Sequence, residues 1–129
     1  FPHHKRLCDH FAADGLKTIL HSDGNVEPLI PHFLEAGFVG LNPLEAKAGL
    51  DVRKLKPQYG DRLVLYGNID ARKLAGTKKE IEEEIRNKVT VAKEGGGYIY
   101  HSDHSVPRSV SLENYRFALE CVREYGRYD

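Results

Sequence analysis

The sequence predicts an α/β fold of about four parallel βα units, half of a (β/α)8 TIM barrel, and three observations predict it. Four short apolar runs, Thr18–His21, Phe38–Leu41, Leu63–Tyr66 and Tyr98–His101, read as buried strands. Segments with helical periodicity separate them, and strands alternating with helices form parallel crossovers rather than hairpins. The tripeptide His-Ser-Asp ends the first run, at His21-Ser22-Asp23, and returns at the end of the last, at His101-Ser102-Asp103. In a parallel sheet the loops leaving the carboxyl ends of the strands share one face, so both clusters are expected to line one pocket.

Each element has its own signal. Lys5 to Ala13 reads as a leading helix through Leu7, Cys8 and Phe11. From Val26 to Ala36 the residues Val26, Leu29, Ile30, Phe33 and Leu34 form one apolar stripe, with Asn25 to cap it and Gly37 to end it. Pro43 to Gly60 is less regular and predicts one or two short helices, broken up by Gly49 and Pro57. Thr77-Lys78-Lys79-Glu80 is a capping box that opens a helix carrying Ile81, Ile85 and Val89 inward and stopping at Gly95-Gly96-Gly97. Its Glu- and Lys-rich positions from Lys78 to Lys88 read as a solvated face with i,i+4 pairs. Ser111 starts the last helix, with Tyr115, Ala118, Leu119 and Val122 on its apolar side. No linker interrupts this series, so residues 1–129 read as one partial domain.

Composition narrows the function classes. Nineteen basic residues balance nineteen acidic ones without long blocks of either sign, which argues against a nucleic-acid partner. No apolar run reaches the roughly 20 residues of a membrane span, and no membrane partner is expected. The two cysteines lie in helical patterns without C-x-x-C spacing, so they read as packing residues of a reducing, cytoplasmic compartment. With no methionine and an opening Phe1-Pro2, the chain is expected to be a segment of a longer reading frame. A half barrel exposes two sheet edges, which predicts a homo-oligomer or an upstream partner strand.

The chemistry-bearing positions sit where the strands end. His21 and Asp23 are two apart and point to one side in extended chain, where they can share a divalent metal or pass a proton. Asp23 as a plain helix cap is the alternative. His104 lies three after His101, and the turn between strand and helix decides which of them faces inward. With the first cluster it completes a His21, Asp23, His104 set suited to zinc or ferrous iron. Asn42 and Asn68, with His101 and Asp103, are the expected substrate contacts. Asp70 is expected to cap a helix.

These residues carry a resemblance. Ile19-Leu20-His21-Ser22-Asp23-Gly24-Asn25, the Gly67-Asn68-Ile69-Asp70 turn, and Asp103-His104-Ser105-Val106-Pro107 followed by Leu112-Glu113-Asn114 resemble the carboxyl-terminal half of the uroporphyrinogen decarboxylase superfamily of (β/α)8 barrels. One branch consists of lyases of porphyrin biosynthesis that remove acetate carboxylates from a tetrapyrrole without a cofactor, and His104 matches a histidine lining their cleft. The other comprises methyltransferases that work with a corrinoid protein and hold zinc through a His-x-Cys pair and a later Cys. His21 matches the histidine there, while Asp23 and His104 stand in the cysteine positions. The resemblance thus implies His21, Asp23 and His104 as catalytic or metal-binding residues, somewhat nearer the methyltransferase branch. The substrate is then a methyl donor or acceptor, with a tetrapyrrole or a non-catalytic corrinoid-binding role as alternatives.

Overall fold

The computed structural model describes residues 1–128; Asp129, the last residue of the predicted domain, lies outside the described residues. Four strands form one sheet, β1 (Ile19–His21), β2 (Gly40–Asn42), β3 (Val64–Tyr66) and β4 (Tyr98–Ile99), in the order β1-β2-β3-β4. Every neighbouring pair is parallel. A doubly wound sheet reverses its strand order at a switch point; this one runs straight through, as half of a (β/α)8 barrel does.

Pairing fixes two faces. Leu20 pairs with Leu41, Leu41 with Leu65 and Leu65 with Tyr98. These side chains belong to, or pack against, a core with Ile30, Phe33, Val52 and Leu55. Period two turns the residues between them the other way. Ile19, Gly40 and Val64 form one row of that opposite face, which stays open: Ile19 is 45% exposed and Ile99 41%.

Helices cover only the leucine side. α1 (Pro2–Ala13) begins on a proline, whose missing N–H costs nothing in the first turn, and buries Cys8. The next segment departs from its predicted stripe. A 3-10 turn over Glu27–Leu29 precedes α2 (Ile30–Ala36), because Pro28 and Pro31 remove two donors from the first turns. Leu29 consequently points outward, 48% exposed, while Val26, Ile30 and Phe33 are buried. Gly37 ends α2 in the left-handed region, φ 105°.

The irregular stretch holds a 3-10 turn at Ala46–Ala48 and α3 (Val52–Tyr59), capped by Asp51. Pro57 lies inside α3 rather than ending it; in the last turn of a short helix it forfeits a single backbone bond. Asp70 caps a one-turn α4 (Ala71–Leu74), accepting the Arg72 amide. α5 (Lys78–Ala92) opens with both arms of the Thr77/Glu80 capping box and buries Ile81, Ile85 and Val89, as its spacing predicts. Each of those aliphatic side chains is worth about 1.5–3 kcal/mol on burial.

The solvated-face expectation fails at the end of α5. Lys88 is 7% exposed, pairs with Glu84 and donates to the Asn68 carbonyl at 2.6 Å. α6 (Leu112–Tyr125), capped by Ser111, packs on α5 and buries Ala118 and Cys121. Both cysteines are buried and free. Among the described residues no helix is long and apolar enough to cross a membrane.

Candidate functional site

One step toward the carboxyl ends from the apolar row, the open face becomes polar. His21 is paired with Asn42, and Tyr66 follows Val64 by two on the same side. The ladder continues past β4: Gly67 N–H donates to Ile99 O, Ile69 N–H to His101 O and Asp103 N–H to Ile69 O. His101 therefore shares the parity of Ile99. Its ring meets Tyr66 edge to face, centroids 5.3 Å apart. The row His21, Asn42, Tyr66 ends at Ile99 on β4, and His101 lies one step further along the same face.

Hydrogen bonds set the state of both imidazoles. Asn42 Nδ2 donates to the Tyr66 carbonyl at 3.4 Å, which turns its Oδ1 toward His21 Nδ1 at 2.6 Å. A neutral His21 therefore carries its proton on Nδ1 and leaves a lone pair on Nε2. That Nε2 stands 3.6 Å from Asp23 Oδ1, and both side chains are more than half exposed. His101 Nδ1 lies 2.6 Å from the Ser102 carbonyl, which can only accept, so its Nε2 is the free nitrogen too.

Behind this row two carboxylates lace the four loops together. Glu45 Oε2 accepts Gly24 N–H at 2.7 Å, joining the loop after β1 to the loop after β2. Asp103 is 3% exposed, and its Oδ2 accepts Ala46 N–H at 3.1 Å and Lys47 N–H at 3.4 Å. Its Oδ1 accepts Ala71 N–H at 2.9 Å, which adds the loop after β3. Glu45 escaped the sequence reading, having no apolar run or repeated motif around it. Tyr66 was visible only as the last residue of its run.

Asn68 is a second hub. It is wholly buried at φ 73°, with Oδ1 accepting Val52 N–H and Nδ2 donating to Leu44 O and Leu50 O, all at 2.8 Å. Gly67 precedes it because a Cβ there would lie 1.9 Å from the Pro43 carbonyl oxygen. The Gly-Asn turn is thus a packing requirement.

The expected substrate contacts divide accordingly. Asn68 and Asp103 give all their polar atoms to backbone groups and are scaffold, not substrate-facing. Asn42 orients His21. His101 faces the open side. His104, expected at the mouth, is exposed instead in a separate cleft of about 280 Å³ with Glu45, Lys47, Arg72, Ser105 and Pro107. The chain turns after the ladder ends at Asp103, and this carries it away. Among the described residues no group of three or more His, Cys, Asp or Glu is placed to hold a metal ion, so the His21, Asp23, His104 set is not assembled. His21 and Asp23 alone remain together.

Arg72 grips Asp70 through two nitrogens, and this bond holds the Asp70 carboxyl below the usual aspartate range. Asp51 is lowered in the same way by Arg53. Neither carboxylate is left for chemistry.

Comparison with known proteins agrees with this fold. Residues 1–125 match the family model described as uroporphyrinogen decarboxylase (URO-D). The uroporphyrinogen decarboxylase of Pseudoalteromonas atlantica is 25% identical over 124 residues, covering 91% of this chain and 34% of that protein. That of Mannheimia succiniciproducens is 25% identical over 126 residues, covering 92% and 35%. The solved structure of a methyltransferase from Methanosarcina mazei superimposes with a TM-score of 0.69 at 28% identity, over 96% of this chain and 36% of its own. The chain spans about a third of the length of these relatives. With the parallel βα order and the family model in agreement, the chain belongs to the uroporphyrinogen decarboxylase family.

Proposed function

We propose that this chain forms one wall of the active-site mouth in a metal-assisted, corrinoid-linked methyltransferase-like enzyme, with His21 and Asp23 as cation donors. The observation that carries the reading is the His21 Nε2 to Asp23 Oδ1 spacing of 3.6 Å, with Nδ1 held by Asn42. Donors about 2.0–2.1 Å from a tetrahedral zinc stand about 3.3 Å apart, so the pair fits a shared cation after a small closing movement. Asn42 is the kind of outer partner that fixes a ligating imidazole. The pair supplies two donors; the remaining positions fall to substrate and to groups this chain does not gather. Bound there, zinc supplies Lewis acidity that lowers the pKa of an acceptor's S–H or O–H. Asp23 offsets the cation's charge with a harder donor than thiolate.

The likeness to the Methanosarcina mazei methyltransferase supports this branch. In this reading the open strand edges pair with further barrel strands or with a second copy.

The test is metal analysis of the intact protein, with methyl transfer from methylcobalamin to a panel of thiols followed by the loss of its absorbance. Bound zinc that disappears in His21→Ala and Asp23→Ala, along with turnover, is the expected result. A metal-free wild type, or variants with unchanged turnover, sinks the assignment. The second reading, porphyrinogen decarboxylation, is favoured by the decarboxylases that align with 91–92% of the chain. It predicts carbon dioxide release from uroporphyrinogen by the intact protein without added metal. Corrinoid binding without any rate enhancement would place the chain in a non-catalytic role.

A further inference from the structure

The resemblance puts the second working histidine at His104, but the geometry points to His101: we propose that His101 Nε2 is a substrate-facing hydrogen-bond acceptor. It receives a protic group, O–H, N–H or S–H, of the substrate. The proposal rests on the preceding functional reading only for its activity readout.

Three independent features carry it. The first is parity. The ladder bonds at Ile99, His101 and Ile69 keep the chain extended through Ser102, so His101 lies on the face of Ile99 and Ile19 rather than against the helices. Tyr98 and Tyr100, of opposite parity, pack among α5 and α6.

The second is orientation. The Ser102 carbonyl takes the Nδ1 proton at 2.6 Å, and the Tyr66 ring stands at 89° to the imidazole, so the ring is held from two sides. What remains free is Nε2, an acceptor. His21 reaches the same state by a different partner, Asn42 Oδ1. A free acceptor held in one orientation suits a donor-bearing ligand.

The third is the floor. Ile19, Gly40 and Val64 line the row beneath, and Ile99 precedes His101, so the surface under the two acceptors is apolar and carries no cation. A donor group on an apolar body fits this surface. His104 has none of these features. It is exposed in the cleft with Arg72, and its backbone carbonyl accepts the Ser102 hydroxyl at 2.5 Å.

The test separates anchoring from substrate contact by two substitutions in the intact protein. His101→Asn keeps a donor near Nδ1 for the Ser102 carbonyl but has nothing at Nε2; His101→Gln places an amide near Nε2. With the wild-type thermal midpoint retained in both, His101→Asn is expected to lose about tenfold or more in kcat/KM, while His101→Gln recovers part of the loss. The assay is whichever of methylcobalamin demethylation and uroporphyrinogen decarboxylation the wild type passes. Full rescue by Asn, or wild-type rates in both variants, overturns the proposal.

Imidazole 15N spectra of the histidine-labelled intact protein give a readout that needs no substrate. In its neutral form His101 should appear with the proton on Nδ1, and a ring protonated on Nε2 overturns the proposal. If the wild type passes neither assay, the functional reading falls, and these spectra alone decide the proposal.

Discussion

Replacing Asp103 by alanine should cost about 3–5 kcal/mol of folding stability, more than any exposed residue of the site. The carboxylate is 3% exposed and accepts the amides of Ala46 at 3.1 Å and Ala71 at 2.9 Å, with a weaker contact to Lys47 at 3.4 Å. Deleting it leaves the buried Ala71 amide and the part-buried Ala46 amide unpaired, each worth about 1–3 kcal/mol, with bonds to a carboxylate at the upper end. Asp103→Asn keeps one oxygen but opposes its NH2 to one of the amides, so about 2 kcal/mol is expected, between alanine and wild type. Urea denaturation followed by circular dichroism reads both values, as midpoint shifts at an unchanged slope. A cost below about 1 kcal/mol for alanine would refute the lacing of the loops, because unpaired buried amides cannot be that cheap. Asparagine more damaging than alanine would place the cost in shape rather than in hydrogen bonds.

Three further outcomes follow from the same reasoning. Asn68→Ala should destabilise by about 3–5 kcal/mol, since Val52 N–H, Leu44 O and Leu50 O lose a buried partner and alanine must adopt φ 73°; thermal or urea melts check it, and a near-neutral effect refutes the hub. Tyr100→Phe should be neutral or stabilise by up to about 1 kcal/mol, because the Tyr100 hydroxyl is buried without a partner among the described residues and burial pushes its pKa up to about 12. A clear loss of stability in that variant would reveal a partner. In acid, Asp70 and Asp51 have folded pKa values below the unfolded aspartate value of about 3.9. Their contribution is therefore complete above that pH and fades as the pH falls through the folded values. An Asp51→Asn, Asp70→Asn double variant should flatten the stability profile between about pH 4 and pH 2, and an unchanged slope there counts against the two Arg clamps.

The barrel half was legible in the sequence because burial on one side imposes a period. Ile81, Ile85 and Val89 declare α5 by spacing alone, and the four apolar runs declare the strands. Prolines blurred what periodicity announced. Pro28 and Pro31 shift the α2 start to Ile30 and leave Leu29 outside, while Pro57 proves tolerable where the helix is already ending. Register was not legible at all, since no local signal says that His21 sits opposite Asn42 or that the ladder runs on to Asp103. Without register, His101 and His104 are equivalent candidates. Lys88 is a similar case: in sequence it is one more charge on a charged helix, and only the tertiary packing puts it against Glu84 and the Asn68 carbonyl.

What separates scaffold from site in this chain is unspent hydrogen-bonding capacity, not polarity. Asn68, Asp70 and Asp103 are as polar as anything at the carboxyl ends of the strands, yet backbone amides, backbone carbonyls or an adjacent arginine use their side chains. Such groups stabilise a geometry and have nothing left for a ligand. His21 and His101 differ in that the protein engages only one ring nitrogen of each by a hydrogen bond, and in both it is Nδ1. A fold that spends effort orienting a ring while leaving its outward nitrogen free has lost rotamer entropy on one side without recovering it in a second bond. A ligand bound at the free nitrogen offsets that loss, and for His21 the nearest candidate bridge is a proton or cation shared with Asp23.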